Sequence, residues 1–304
     1  MDSNGFVLVN EHDNEMFVQD KNTEKAESWG RITWRRFKHN KAAFWSLILF
    51  ALFVLLAVAA PVIAPYSPID TVGNFNSTPG DGFLLGTDDV GRDVLSRMIY
   101  GTRVSLIVGV GSVIIYAIIG ITLGLLSGFF GGIVDSIIMR ITEVFMAYPR
   151  FMIILVIVSL IGPNMWTVML VMGFMGWPPI CRLVRSDVMR VKSIDYVSAA
   201  IVTGYAPLNI VFKQILPNVL SPILVNCTFG IAQAILTEAS LSFLGLGVQP
   251  PTASWGNMLT AAQSLTILSG EPWRWVPPGL CILVAVLTIN FLGDGLNEAV
   301  GGSK

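Results

Sequence analysis

Six long apolar runs constrain this chain more than any other feature of its sequence. A helix needs about 20 mainly apolar residues to cross the hydrocarbon core of a bilayer. The runs that meet this requirement are residues 42–63, 104–130, 137–161, 164–181, 214–237 and 276–293. Only 13% of the residues are charged, against about 25% in an average soluble domain, so the chain cannot be solvated on all sides. The sequence therefore predicts an all-α integral membrane protein with six transmembrane helices.

The positions of the basic residues predict how these spans are oriented. If the N-terminus is cytoplasmic, 14 of the 19 Lys and Arg residues fall on the inner side and 4 on the outer side. This excess obeys the rule that inner loops are the more positive ones. Both termini are therefore predicted to be cytoplasmic, in a multi-pass protein of the cytoplasmic (inner) membrane. The segments between spans then become an extracytoplasmic loop at 64–103, an inner loop at 182–217 and a cytoplasmic tail at 294–304.

The segment before the first span, residues 1–41, changes character near residue 28. Residues 1–28 are polar and acidic, which predicts a disordered cytoplasmic tail. The residues that follow are basic, with aromatic side chains between the charges, and this pattern predicts an amphipathic helix lying at the membrane surface. Its basic and aromatic residues are Arg31, Trp34, Arg35, Arg36, Phe37, Lys38 and Lys41.

Several classes of function are excluded by what the chain lacks. The net charge of −1 gives no basic footprint for nucleic acid. The only histidines, His12 and His39, precede the first span, and the three cysteines have no metal-ligand spacing, so neither a metal site nor a catalytic triad is expected. A phosphate-binding loop needs G-x-x-x-x-G-K-[ST], and no stretch matches it. We therefore expect neither enzymatic activity nor a bound cofactor, and we expect membrane lipid around the spans.

The stretch DYVSAAIVTGYAPLNIVFKQILPN, residues 195–218, has helical spacing interrupted by Gly204. Ser193 is expected to cap a first helix, and Gly204 to end it in the left-handed conformation. Pro207 fits the first position of a second helix, and Pro217 marks the approach to the fifth span. Two short amphipathic helices must cover their apolar faces, so they either lie on the bilayer or insert into a groove on a soluble partner. The pattern alone does not choose between these two.

Two stretches assigned to the outer side contain more than linker residues. In 84–106 a turn rich in acids feeds a helix, and in 238–259 glycines and prolines end the fifth span. Trp255 suits a membrane-interface belt. The two stretches form either a structured outer cap or a rim where a delivering partner docks. The residues concerned are Asp88, Asp89, Gly91, Arg92, Asp93, Gly245, Gly247 and Trp255.

Three ionisable residues fall within or at the ends of spans, and such residues mark functional paths by default. Glu143, Arg150 and Glu238 are therefore candidates for a translocation path, with pairing to a neighbour as the structural alternative. Small residues spaced by four recur in the second span at Gly120, Gly124 and Gly128. This spacing favours close helix packing over a pore-lining role.

Three motifs in order give the chain a family resemblance. Ala199-Ala200, Gly204 and Ile215-Leu216-Pro217 resemble the EAA motif of binding-protein-dependent ABC importer permeases. The two outer stretches resemble those of the C-type permease of dipeptide, oligopeptide and nickel importers. The chain departs from the pattern at Ser198, where the motif has Glu, and at Gln214, Phe83-Leu84 and Arg150. The missing glutamate removes one expected salt bridge to a partner.

The resemblance implies a type I ABC importer permease fold with its transmembrane core at 104–293. It implies that the inner loop is the coupling helix, which docks on a cytoplasmic ATPase. The positions it assigns to coupling are Asp195, Ser198, Ala199, Ala200, Gly204, Pro207, Gln214, Leu216 and Pro217. The expected partners are a second permease subunit in a heterodimer, two ABC ATPase subunits that bind ATP and Mg²⁺, and an extracytoplasmic substrate-binding protein.

The expected function is to form half of a pore for di- and oligopeptides, driven by ATP hydrolysed on other chains. One alternative is the same machinery importing nickel or another small solute. The alternative of another class is a secondary transporter, which would need an inverted repeat or a relay of charges at mid-span.

Overall fold

The computed structural model of the chain describes residues 29–80 and 82–301, and the predicted disordered tail at 1–28 lies outside them. Within the described residues the fold is all-helical, without a β-strand, as the sequence predicts. The helices are α1 (Trp29–His39), α2 (Lys41–Ile63), α3 (Val94–Phe130), α4 (Gly132–Met146), α5 (Arg150–Ile161), α6 (Met165–Lys192), α7 (Asp195–Val202), α8 (Pro207–Phe243), α9 (Trp255–Met258), α10 (Leu265–Gly270) and α11 (Val276–Gly301).

Five of the described helices, α2, α3, α6, α8 and α11, are long and apolar enough to cross a membrane. The predicted span at 137–161 is not one helix, because this stretch consists of α4 and α5, bent by 79° at residues 147–149. Pro149 is the N-cap of α5, where its missing N–H costs nothing, and it disfavours a helical conformation in the residue before it. Counted as one broken span, the pair makes a sixth.

Four helices extend past the ends predicted from hydropathy, and α8 does so at both ends, running from Pro207 to Phe243 rather than over 214–237. Helix α3 begins at Val94 rather than 104, because the Asp93 carboxylate accepts the Ser96 backbone N–H at 2.7 Å and caps it there. Helix α6 continues to Lys192 rather than ending at 181, and α11 continues to Gly301 rather than ending at 293. Hydropathy marks where a helix meets lipid, whereas a polar helix can continue beyond the bilayer.

The α3–α6 pair forms the centre of the bundle. The two helices run parallel, and Gly120, Gly124 and Gly128 face Ile180, Val184 and Val188 in register. A Cβ atom on these glycines would lie only 2.8, 2.7 and 2.8 Å from the facing Cβ atoms. The prediction that these glycines serve helix packing is confirmed.

The bundle has two ends, named here by what they contain. The cap end holds residues 64–93 and 244–275, and the loop end holds residues 193–206. At the loop end, Phe37 of α1 is buried against Ala43 and Ala299, while Lys38 remains exposed. Helix α1 is thus amphipathic, as predicted, and it packs on the last turns of α11.

Candidate coupling surface, polar cavity and cap

Helices α7 and α8 meet in a tight turn at the loop end. Gly204 has φ +80°, its N–H bonds the Ile201 carbonyl at 3.2 Å, and the Tyr205 N–H bonds the Ala200 carbonyl at 3.2 Å. This pair of bonds is a Schellman motif, which requires a left-handed residue at the position of Gly204. The predicted bend at Gly204 is confirmed, as is the start of the next helix at Pro207.

Two details of the predicted loop are wrong. Ser193 does not cap α7, because its hydroxyl donates to the Arg190 carbonyl at 2.8 Å and Ile194 takes the N-cap position. Pro217 does not separate the second helix from the fifth span, since α8 runs through it. A π-helical turn at Val211–Ile215 precedes Pro217, and its wider hydrogen-bond spacing accommodates a residue that has no N–H to donate. Gln214, Leu216 and Pro217 therefore belong to the spanning helix rather than to a loop.

The apolar residues of this region divide between two surfaces. Val197, Ala200, Ile210 and Ile215 are buried against the bundle. Other large apolar side chains of this region are left exposed by the described residues. This loop patch consists of Val202 (86% exposed), Leu208 (64%), Tyr205 (60%) and Phe212 (57%).

Hydrogen bonds attach the loop to the helices behind it. Lys192 donates from Nζ to the Phe129 carbonyl of α3 at 2.6 Å, and Asn218 donates to the Tyr196 hydroxyl at 3.0 Å. Ser198, at the position of the motif glutamate, donates to the Lys192 carbonyl at 3.3 Å. Ser198 thus makes a bond within its own chain. The loop is tied to α6 and α8, and the last residue of α6 is tied to α3.

A charged clamp, Asp135–Arg185, joins α4 to α6 next to the loop. The two guanidinium nitrogens meet the two carboxylate oxygens at 2.5 and 2.6 Å, and the Ser127 hydroxyl of α3 also donates to Asp135. Bidentate pairs of this kind fix orientation as well as distance. The sequence does not predict this clamp, because pairing between residues 50 positions apart has no local signal. The only available signal was an isolated Asp beside an apolar run.

The ionisable residues predicted for a translocation path do not come together. Glu143 lies on an exposed face of α4, where it pairs with Arg140 at 3.0 Å. Arg150 lies beyond the bend and lines a cavity of about 250 Å³ between α3, α6 and α8. We call this the polar cavity. Tyr116, Asn226 and Gln233 line it as well.

Glu238 is fully buried and lies apart from that cavity. Its carboxylate accepts hydrogen bonds from the hydroxyls of Ser105 (3.3 Å), Ser242 (2.7 Å) and Ser254 (2.9 Å). This arrangement joins α3, α8 and the start of α9. Each hydroxyl also accepts one backbone N–H, and the donors are Trp255, Val248 and Asn257 respectively. Its surroundings are those of a structural hub.

The residues predicted for the cap form a folded structure rather than a row of exposed contacts. Asp88 is 8% exposed, with its carboxylate 2.7 Å from the Arg92 guanidinium and 3.4 Å from that of Arg97. Gly91 (φ +78°) and Gly245 (φ +77°) hold left-handed turns. The turn feeding α3 and the glycine stop of the fifth span are as predicted.

Trp255 is not in a membrane-interface belt. It is fully buried, its ring packs edge-on to Phe53 at 5.7 Å, and its Nε1 donates to the Met98 carbonyl at 3.3 Å. Asp93 and Gly247 are buried as well, whereas the Asp89 side chain is 64% exposed and pairs with Arg274 at 3.2 Å. Any docking partner would therefore meet Asp89 and Gly245 among the predicted residues.

Comparison with known proteins assigns the chain to a family. Residues 120–302 match the family described as binding-protein-dependent transport system inner membrane component. Residues 28–79 match the N-terminal TM domain of oligopeptide transport permease C. The chain belongs to this family of binding-protein-dependent permeases. The predicted resemblance is confirmed, and the permease is an inner-membrane protein.

Relatives of the permease align over most of its length. It is 41% identical to the di/tripeptide transport system permease protein DppC of Pseudomonas aeruginosa, over 88% of this chain and 90% of that one. It is 37% identical to the dipeptide transport system permease protein DppC of Bacillus subtilis, over 96% and 93% of the two chains. These relatives are named as permease proteins, which agrees with the predicted division between permease and ATPase.

The fold of the permease also matches a solved transporter. A chain of the MetNI methionine ABC transporter, in an inward-facing conformation, superimposes with a TM-score of 0.54 at 20% identity. The match covers 67% of the permease and 96% of that chain. The predicted type I ABC importer permease fold is confirmed. Which end of the bundle faces the cytoplasm stays a prediction from the charge distribution.

Proposed function

We propose that this permease forms half of the translocation pore of an ATP-driven importer for di- and oligopeptides. The loop patch carries the proposal, because four large apolar side chains project from the turn and from the ends of α7 and α8 beside it, and hydrogen bonds hold α7 to α6 and α8. The relatives named for dipeptide and di/tripeptide transport support peptides as the substrate class.

The loop patch is the proposed coupling surface, which inserts into a cleft on an ABC ATPase subunit. Exposed aliphatic and aromatic side chains are costly in water, and a groove on a soluble partner covers them. Closing of an ATPase pair on ATP would push α7 and the start of α8. Because α8 is continuous from Pro207 to Phe243, that push would reach the cap end as a rigid-body tilt.

The exposed face of α8 is the proposed pore lining. Asn226 and Gln233 are two helical turns apart on that face, where polar side chains would be unfavourable against lipid. A second permease subunit covering this face would enclose a polar path between the two chains. The cap end is the proposed docking side for the extracytoplasmic binding protein, and ATP and Mg²⁺ would bind to the two ATPase subunits.

A double substitution in the loop patch, Val202→Asp with Leu208→Asp, tests the coupling surface. Both side chains are exposed, so the fold should be retained, while ATPase recovery on affinity purification of the permease and dipeptide uptake should both be lost. Val202→Met with Leu208→Met keeps the patch apolar and should retain both activities. Normal uptake and normal ATPase recovery in the Asp variant would contradict the coupling role.

Energy dependence distinguishes the proposed importer from a secondary transporter. Dipeptide uptake by the complete complex should continue when the proton gradient is collapsed and ATP is supplied. It should stop when ATP is withheld in the presence of a proton gradient. The reverse pattern would establish a secondary transporter instead.

A further inference from the structure

Arg150 is a basic side chain among the candidate spanning helices, and no described residue gives it an acidic partner. It begins α5 directly after the bend and is half-buried. Its Nη2 reaches the Met172 carbonyl only at 3.5 Å, and its Nε is buried without a hydrogen-bond partner. Among residues 29–80 and 82–301, no carboxylate lies within ion-pairing distance of it. A guanidinium in this state has unused donors and an uncompensated charge.

The polar cavity supplies further hydrogen-bond donors around Arg150. The Tyr116 ring lies between α6 and α8, in space left by two glycines. A Cβ at Gly176 would lie within 3.0 Å of the ring, and one at Gly230 would collide with the hydroxyl. The carboxamides of Asn226 and Gln233 line the same cavity from the exposed face of α8. None of the described residues that line it is acidic.

One positive charge, a phenol and two carboxamides form a set that binds a carboxylate. The guanidinium fork matches the two carboxylate oxygens, and the neutral donors can take the remaining lone pairs. A volume of about 250 Å³ accommodates a carboxylate group and the backbone next to it. In a low-dielectric setting, a carboxylate without such a counter-charge would face a large desolvation barrier.

We infer that Arg150, Tyr116, Asn226 and Gln233 form a transient binding site for the C-terminal carboxylate of the transported peptide. The inference rests on the proposed function, since it places this site on the peptide path along α8. All linear peptides share this carboxylate, whatever their side chains. A site that binds it would lower the barrier to passage without restricting peptide sequence.

The test compares a dipeptide with its C-terminal amide in the complete transporter, reconstituted in liposomes with saturating binding protein. The affinity of the isolated binding protein for each probe is measured separately, so that a difference in capture is not mistaken for a difference in passage through the permease. The unmodified complex should transport the acid about tenfold faster or more, because a charge-assisted hydrogen bond changes a rate by about that factor. Arg150→Gln should reduce the ratio of the acid rate to the amide rate to about twofold, and Arg150→Lys should retain an intermediate ratio.

Arg140→Gln is the matched control, because Arg140 is the preceding arginine and its side chain is 84% exposed. It should keep the ratio of the unmodified complex. An unchanged ratio in Arg150→Gln, or no preference in the unmodified complex, would overturn the carboxylate site. An equal loss of both probes with a lower melting temperature would also overturn it, and would assign Arg150 a structural role. If the unmodified complex transports neither probe, the proposed peptide import is the hypothesis that fails.

Discussion

Glu238 provides a sharp test of how this permease is built, because two roles for it make opposite predictions. As a residue of the translocation path, its removal would impair transport in a complex that remains stable. As the hub that joins Ser105, Ser242 and Ser254, its removal would destabilise the cap end first. The structure favours the second role, since the Glu238 side chain is fully buried and its carboxylate contacts three hydroxyls.

The size of the effect follows from these contacts. A hydrogen bond contributes about 0.5–1.5 kcal/mol between neutral groups and about 1.5–3 kcal/mol to a charged one, and three are lost in Glu238→Ala. The hydroxyls keep their backbone N–H partners and can turn to other acceptors, so the total cost should be below the sum, at about 3–5 kcal/mol. Glu238→Gln preserves the volume and one acceptor oxygen, and it should cost about 1–2 kcal/mol.

Thermal unfolding of the purified complex, measured together with dipeptide uptake, separates the two roles. Glu238→Ala should lower the melting temperature by roughly 5–10 °C and reduce uptake in proportion to the folded fraction. Glu143→Ala is the control, because that carboxylate is half-exposed and pairs only with an exposed arginine, so its loss should cost under about 0.5 kcal/mol. Loss of uptake in Glu238→Ala at an unchanged melting temperature would refute the hub and restore the path role.

Three further predictions concern the loop, the bundle centre and the clamp. Gly204→Val should lower uptake and ATPase recovery more than Gly204→Asn, because Gly204 has φ +80° and a β-branched residue is strained there by about 1–2 kcal/mol more. No atom lies within 4 Å of a Cβ at this position, so crowding does not contribute, and equal effects would show that the turn tolerates a β-branched residue. Gly124→Val should reduce the amount of folded permease in an expression assay, because its Cβ would lie 2.7 Å from that of Val184 and lower the stability by about 1–3 kcal/mol. Gly270 lies in open space, so Gly270→Ala is the control and should be neutral in the same assay. Asp135→Arg and Arg185→Asp should each lower the melting temperature, and the double swap should recover part of the loss; additive losses would mean that the pair contributes no coupling.

Local sequence was sufficient for those elements whose cause is local. The length of the apolar runs predicts the spans, because a bilayer imposes a minimum helix length on any chain that crosses it. Gly204 and Pro207 predict the turn between α7 and α8, since left-handed φ favours glycine and proline starts a helix without loss. Three glycines spaced by four predict a close helix contact, although they do not specify α6 as the partner.

The tertiary structure alone decided the features that depend on distant partners. Ser105 and Glu238 are 133 residues apart, and Trp255 bonds a carbonyl 157 residues away, so neither burial could be predicted from a window along the chain. Hydropathy likewise gave no sign of the 79° bend between α4 and α5, because the apolar run continues through Pro149. That bend places Arg150 in the polar cavity and leaves Glu143 on an exposed face of α4. Packing, rather than residue type, sets this separation.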